Sequence, residues 1–334
     1  MQTFLKAVTI MKNTEKLLAL LITTEDYISG QAIAEQLCIS RQAVWKAITS
    51  LREQGYEIDS VTRRGYKLVA MPKHLNAPSL QSKLRTSVLG KNLVLLDEVK
   101  STNDHLKMLG AQDCPNGTVV AARLQTAGKG RMGRVWQAKR DSSITFSVLL
   151  RPRMTPHEVG AVTPLAGLAV CKALRDYTGL DCKIKWPNDI IVGKKKLVGI
   201  LTEMSAEFDA VEYLIIGTGI NVDQAVFPEE IAYKATSLLL ETGRHYDKND
   251  LLACVLQYME QTFAENGFSF SAAAHSEYSD LCATIGRSVT FKRGSRRING
   301  MAAGVSQNGE LKVMLSDGSV CTVNSGEVTI QGIY

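Results

Sequence analysis

No two of the seven cysteines, at positions 38, 114, 171, 182, 254, 282 and 321, stand in a C-x-x-C spacing. Their odd number and scatter argue against a disulfide framework or a structural zinc site, and for reduced thiols in a reducing compartment. The five histidines, at 74, 105, 157, 245 and 275, form no pair at ligand spacing, so none is assigned to a metal or to catalysis. Long apolar runs are missing too. The longest weakly charged stretch, 159–174, contains Pro164 and falls short of a membrane span. The first ten residues carry Lys6 in mid-run without a small-residue cleavage site, and do not read as a secretory signal. A nucleophile elbow, a Walker A loop and the kinase motif set are all absent. Charge imbalance is slight: a formal +6 permits nucleic acid or a phosphorylated ligand without demanding either. These absences predict a cytoplasmic protein with no membrane partner.

What is present is a chain of 334 residues, 45% hydrophobic and 22% charged, which excludes disorder and low complexity and allows two or three domains. Met11 precedes a clear helical pattern, so residues 1–11 read as an extension ahead of it, with Met1 and Met11 both candidate starts. Residues 12–70 read as two short helices, a tight turn at Cys38-Ile-Ser40, a third helix running to about residue 54, and a hairpin around Arg63-Arg64-Gly65. That order is a winged helix-turn-helix. Residues 71–78 hold two prolines and no periodicity, as a linker does. Residues 79–284 alternate strand-like and helix-like runs, predicting one mixed α/β domain. Residues 285–334 are short strands separated by turns such as Asn308-Gly309 and Asp317-Gly318, predicting a small all-β barrel. The fold class is α+β multidomain.

In a winged helix the third helix enters the major groove and the wing meets the backbone. The outward positions of that helix are Ser40, Arg41, Gln42, Lys46 and Thr49, and the wing offers Arg63 and Arg64. Arg and Gln can reach base edges, while Lys and hydroxyls suit phosphates. Residues 1–75 hold ten Lys/Arg against seven Asp/Glu, half of the whole chain's surplus. The expected partner is operator DNA, with a dimer reading two half-sites. Trp45 reads as core or wing packing rather than as a base stacker.

Gly128-Lys-Gly-Arg-Met-Gly133 spells G-x-G-x-x-G, yet no helix follows and position 153 is Arg, so a dinucleotide fold is disfavoured. What remains is either a polyanion-binding glycine loop carrying Lys129, Arg131 and Arg134, or a basic surface hairpin. Lys185-Trp-Pro-Asn-Asp189 places an amide and a carboxylate in a turn, and Asp189 is the candidate magnesium ligand beside a triphosphate. Ser101-Thr-Asn-Asp104 opens a helix as an N-cap that could also present polar groups to a ligand. Gly217-Thr-Gly-Ile-Asn221 ends a buried strand on which a flat ligand could lie close to the backbone.

Together with Trp136, Lys196-Leu-Val-Gly-Ile200 and Ala235-Thr-Ser-Leu238, these blocks, in this order, resemble one family over nearly the whole chain. It is bacterial biotin–protein ligase, in the bifunctional form that is also the biotin operon repressor. The resemblance implies a central domain similar to class II aminoacyl-tRNA synthetases and an SH3-like C-terminal barrel. It implies that biotin and ATP-Mg²⁺ give biotinyl-5′-AMP, from which a lysine of a biotin carboxyl carrier protein takes the biotin, with the adenylate-loaded homodimer binding the operator. By position, Lys196 and Arg131 are catalytic. Ser101, Thr102, Asn103, Gln125, Lys129, Gly130, Arg131 and Lys196 meet biotin. Arg131, Arg134, Trp136, Asn188, Gly217, Gly219 and Asn221 meet ATP or the adenylate, with residues 222–237 helping to cover adenine. The family loop reads Gly-Arg-Gly-Arg, whereas Lys129 keeps the charge without the bidentate fork. A lipoate ligase and a ligand-sensing transcription factor with an inactive enzyme-like domain are the competing readings. The Lys-Trp-Pro-Asn-Asp block and the intact Lys196, Arg131 and Asp189 weigh against them.

Overall fold

Leu17, Leu18 and Leu21 share one side of α1 (Asn13–Thr23) and are almost completely shielded from water. Ile33 of α2 (Gly30–Leu37) and Val44, Ile48 and Leu51 of α3 (Arg41–Glu53) close the same core. Burying each such side chain contributes roughly 1.5–3 kcal/mol. Ser29 caps α2, accepting from the Ala32 amide at 3.1 Å, and Ser40 does the same for α3 through Ala43 at 3.1 Å. Between them Cys38 takes a left-handed conformation. The wing is β1 (Glu57–Val61) paired antiparallel with β2 (Gly65–Ala70). Gly65 is obligatory there: its φ is +112°, and a Cβ would lie 2.1 Å from the Ile28 carbonyl.

These elements belong to a computed structural model that describes residues 13–53, 55–72, 74–324 and 328–333. The expected extension at 1–11 lies outside them. The chain divides into two units, one ending at Ser82 and the other beginning at Lys83. The stretch expected as linker already turns helical at α4 (Ala77–Lys83). Asn76 accepts from the Ser79 amide at 2.9 Å, and Pro78 suits a first turn, where its missing N–H costs nothing.

In the second unit, β3 (Leu93–Val99), α5 (Thr102–Ala111) and β4 (Val119–Gln125) form a parallel crossover. A two-rung hairpin, β5 (Gly128–Lys129) and β6 (Val135–Trp136), precedes β7 (Ser143–Leu150). A 3₁₀ turn, Pro156–Ala161, leads into α6 (Val162–Thr178). Four strands follow: β8 (Cys182–Lys185), β9 (Asp189–Val192), β10 (Lys195–Glu207) and β11 (Ala210–Asn221). The resulting sheet runs β3-β4-β7-β11-β10-β9-β8, antiparallel except between β3 and β4. α7 (Glu229–Ala232), α8 (Leu238–Thr242), α9 (Lys248–Asn266) and α10 (Ala272–Leu281) come next. Ser271 caps α10, whose alanine-rich opening gave no periodic apolar signal in sequence.

The C-terminal strands are β12 (Ser288–Arg293), β13 (Arg296–Val305), β14 (Leu311–Met314), β15 (Val320–Val323) and β16 (Val328–Ile330). They make a five-stranded antiparallel sheet ordered β15-β14-β13-β12-β16. Asn308-Gly309 and Asp317-Gly318 sit in its turns, as expected. All seven cysteines are free; Cys171, Cys182 and Cys282 are buried and Cys38 is exposed. No helix among the described residues is long and apolar enough to cross a membrane.

Candidate functional site

Along one face of β11 the side chains run Tyr213, Ile215, Gly217, Gly219. The first two join Leu106, Val120 and Leu149 in the core beneath α5. The two glycines lie beyond it, where the helix begins. Register brings Gly199 opposite Gly219, Leu201 opposite Gly217, and Ser147 opposite Gly217 on the other side. The result is a floor nearly without side chains. Its bareness is used: a Cβ on Gly217 would lie 2.2 Å from Asn103 Oδ1, and one on Gly219 would lie 2.4 Å from the Trp136 ring.

Above this floor a polar chain crosses the start of α5. The Thr102 amide and hydroxyl donate to Gln125 Oε1 at 2.8 and 3.0 Å. Ser147 Oγ lies 2.7 Å from Thr102 Oγ1 and 2.5 Å from Asn103 Oδ1. Asn103 Nδ2 donates to Glu203 Oε2 at 2.7 Å, and Lys107 holds the other Glu203 oxygen at 2.5 Å. Glu203 thereby fixes which way the Asn103 amide points.

The glycine loop returns on itself. Gly130 donates to the Arg134 carbonyl at 2.7 Å, and Met132 and Gly133 turn through positive φ. This carries Arg131 inward, where its guanidinium donates to Asn188 Oδ1 at 3.2 Å. Burial pulls the Arg131 pKa down, Asp189 opposes this, and Arg134 adds to it. Lys129 turns to Asp104 at 2.6 Å. The Trp136 ring lies against Gly199 and Gly219, with Lys196 Nζ 5.9 Å from its centre. Trp136 Nε1 and Thr218 Oγ1 are buried without a hydrogen-bond partner, a deficit that a polar ligand would remove.

The cations gather at the end of β8. Lys196 Nζ reaches Asp189 Oδ1 at 2.6 Å. Lys185 is 9% exposed, and burial lowers its pKa to about 8; Asp189 opposes the shift, while Lys196, Arg134 and Lys234 add to it. The segment between is held from the C-terminal side: Trp186 donates from its amide to Thr284 Oγ1 at 3.0 Å and from Nε1 to the Gly309 carbonyl at 2.9 Å. Asn188 Nδ2 donates to the Ile200 carbonyl at 2.9 Å.

Ser101, Thr102, Asn103, Gln125, Lys129, Gly130, Arg131, Trp136, Asn188, Lys196, Gly217 and Gly219 therefore line one cavity, together with Gly199, Ile200, Leu201 and Thr218. Three expected residues stand outside that lining. Arg134 is exposed, near enough to depress Arg131 and Lys185. Asn221 is buried behind the cavity and donates to the Thr236 carbonyl at 2.9 Å, bracing the 234–236 segment that pairs with the Lys196 backbone. Asp189 is engaged by Lys196, and no group of three His, Cys, Asp or Glu suited to a metal occurs among the described residues. Ser147, Glu203 and Lys185 were missed as site residues. An acidic residue within the β10 pattern was the one available signal for Glu203.

In the first unit Arg41, Gln42 and Lys46 are exposed on α3, with Thr49 half-buried beside them. Ser40 spends its hydroxyl on the cap. At the wing, Arg63 is exposed, and Arg64 pairs with Asp26 at 3.2 Å while stacking on Tyr27. Trp45 overturns its expectation of core or wing packing: it is 59% exposed. The inward stripe is Val44, Ala47, Ile48 and Leu51, and Trp45 is turned about 100° from Val44, onto the outer face.

Residues 95–221 match the biotin/lipoate A/B protein ligase family, residues 13–67 an HTH domain, and residues 284–330 the biotin protein ligase C-terminal domain. The bifunctional ligase/repressor BirA of Bacillus subtilis is 37% identical over 298 residues, covering 88% of this chain and 91% of the relative. That of Escherichia coli is 28% identical over 320 residues, covering 95% and 96%. Among solved structures, the Aquifex aeolicus biotin protein ligase in complex with biotin and ATP is 32% identical with a TM-score of 0.61, covering 72% of this chain and 99% of that one.

Proposed function

The chain belongs to the biotin–protein ligase family in its bifunctional ligase/repressor form, and from that premise we propose how its own residues divide the work. Biotin and MgATP give biotinyl-5′-AMP and pyrophosphate; a carrier-protein lysine then displaces AMP to form an amide. Ser101, Thr102, Asn103 and Gln125 take the polar head of biotin, and the glycine floor leaves room for its fused rings. Approach of the biotin carboxylate to the α-phosphate sets like charges together. Lys196 and Arg131 offset them, each counting for more in a shielded cleft than in water. Trp136, Asn188, Gly217 and Gly219 receive the nucleotide side, with Arg134 at the rim and Asn221 behind. Residues 222–237 cover adenine, and Lys129 flanks biotin. The mixed anhydride must be kept from water until the acceptor arrives, which suits the 128–136 loop.

Magnesium enters with ATP. Asp189, one carboxylate held by Lys196, fits an ion whose other ligands are ATP phosphates and water, and that ion would offset charge on the phosphates while Asp189 also orients Lys196. The observation that carries the reading is the convergence of Arg131 and Lys196 on the polar chain above the glycine floor. Its test is incubation with MgATP, labelled biotin or lipoate, and a carrier domain. Amide-linked biotin label is expected; label from lipoate alone, or none, would refute it.

Residues 12–70 form the DNA-binding module, 71–78 the junction, 79–284 a catalytic body similar to class II aminoacyl-tRNA synthetases, and 285–334 an SH3-like barrel. Residues 1–11 precede them as an extension. Arg41, Gln42, Lys46, Thr49, Arg63 and Arg64 face operator DNA, and Ser40 starts the reading helix. Biotinyl-5′-AMP acts as corepressor by favouring a homodimer that reads two half-sites in the cytoplasm. A gel-shift affinity indifferent to biotin and ATP would end that part of the reading.

A further inference from the structure

A tryptophan on the water-facing side of a short helix is out of place unless something covers it. Around α3 the outer residues fall in the order Arg41, Trp45, Thr49, Gln42, Lys46, spanning less than half of the helix circumference. Trp45 is flanked by Arg41 on one side and by Thr49 and Gln42 on the other. It is 59% exposed, and it is the one exposed large aromatic of the first unit among the described residues. Thr49 Oγ1 donates to the Trp45 carbonyl at 3.1 Å, turning that hydroxyl back onto the helix. The surroundings are cationic, with Arg41 and Lys46 on the same face and Arg63 exposed at the wing. An apolar ring set among cations fits a polyanion that carries an apolar group within it.

Duplex DNA meets that description at one kind of place. Base edges in the major groove present donors and acceptors, and the one methyl group among them is the C5-methyl of thymine. We infer that Trp45 is a base-reading residue whose indole covers a thymine methyl in each operator half-site, while Arg41 and Lys46 beside it anchor the backbone. This rests on the DNA-binding reading above and adds to it the identity of one base and the side chain that reads it. The remaining polar position, Gln42, can discriminate bases only by hydrogen bonds, so Trp45 supplies the term that tells thymine from every other base, uracil included.

The test uses the full chain with biotin and MgATP. Bound sequences are selected from a random duplex pool, each thymine of the selected site is replaced in turn by deoxyuridine, and affinities are measured for wild type, Trp45→Phe and Trp45→Ala. Uracil differs from thymine only by the lost methyl. At one thymine per half-site the wild type should lose roughly fourfold in affinity, the worth of burying one carbon. Trp45→Ala should bind the thymine site more weakly and be indifferent to uracil there, with its salt dependence kept because the phosphate contacts remain. Trp45→Phe should fall between. Trp45→Ala should melt with the wild type, since the ring is exposed. A uracil profile identical in wild type and Trp45→Ala would overturn the inference while leaving DNA binding intact, as would a variant altered in sedimentation but not in operator affinity. Failure of the wild type to select any sequence would overturn the DNA reading and this inference with it.

Discussion

At Lys185 the fold holds an ammonium where water scarcely reaches, and desolvation brings its pKa down to about 8. The folded state therefore binds this proton less readily than the unfolded chain, whose lysine keeps the ordinary value of about 10.4. The penalty is present in full below pH 8 and is relieved as pH rises from about 8 towards 10.5, so this lysine's contribution to stability improves across that window. A triphosphate placed beside it acts in the opposite sense, favouring the charged form. Nucleotide binding at pH 8.5 should take up a fraction of a proton, seen by calorimetry in buffers of different ionisation enthalpy, and Lys185→Met should abolish the uptake. A companion prediction concerns Glu203. Glu203→Gln keeps an acceptor for Asn103 and should change the KM for biotin little. Glu203→Ala leaves the amide free to turn and should raise that KM roughly tenfold, the worth of one lost hydrogen bond at a half-buried site. Equal effects from the two variants would count against the positioning role. Lys185 was legible only as the opening of the Lys-Trp-Pro-Asn-Asp block, without a role of its own, and Glu203 was not legible at all. Ser101, Thr102, Asn103 and Gln125 announce themselves by adjacency to capping and glycine motifs, whereas Glu203 acts on the cavity only through Asn103, across a helix-on-sheet contact between positions about a hundred residues apart in sequence.

On the proposed reading, the element that governs what leaves the site is the 128–136 loop. Two short strands clamp its base, Gly128 opposite Trp136 and Lys129 opposite Val135, while Arg131 reaches from its tip to Asn188. Removing the Arg131 tie unfastens the tip of the loop without touching the floor. Arg131→Gly should release biotinyl-AMP and biotinylate exposed lysines at large, read by probing a mixture of unrelated proteins for label; strictly carrier-limited labelling would refute loop closure. Strands and helices of this unit were readable where patterns were long, as along the 19 residues of α9. Two short capped helices were not. α4 and α10 rest on the single side-chain caps Asn76 and Ser271, features too local to show as periodicity. Trp45 was misread for a related reason: apolar character suggested the inside, and only the helical angle fixed by Val44 and Ile48 places it outside.

For the whole molecule, the C-terminal sheet matters beyond its own packing. The β13–β14 turn lends the Gly309 carbonyl to Trp186, one residue from Lys185 and two from Asn188. Trp186→Phe fills most of the same space but strands that carbonyl, a change costing about 1–3 kcal/mol where the group is buried. It should lower the melting temperature and raise the KM for ATP in pyrophosphate exchange while leaving the KM for biotin near wild type. Unchanged nucleotide kinetics would show that the turn supports the fold alone. The net charge of the chain, uninformative as a total, becomes informative once distributed, with cations on the outer face of α3 and others converging beside Asp189.

The scattered thiols have a practical corollary in covalent chemistry. Burial pushes Cys171 well up, Cys182 to about 12 and Cys282 upward, so these three offer almost no thiolate near neutrality and resist alkylation. Cys38 is the exposed one, at the left-handed turn between α2 and α3, immediately before the reading helix. A brief maleimide pulse should therefore place a fluorophore there first, next to the DNA-facing surface, giving the native chain a built-in reporter of duplex binding without any engineered site.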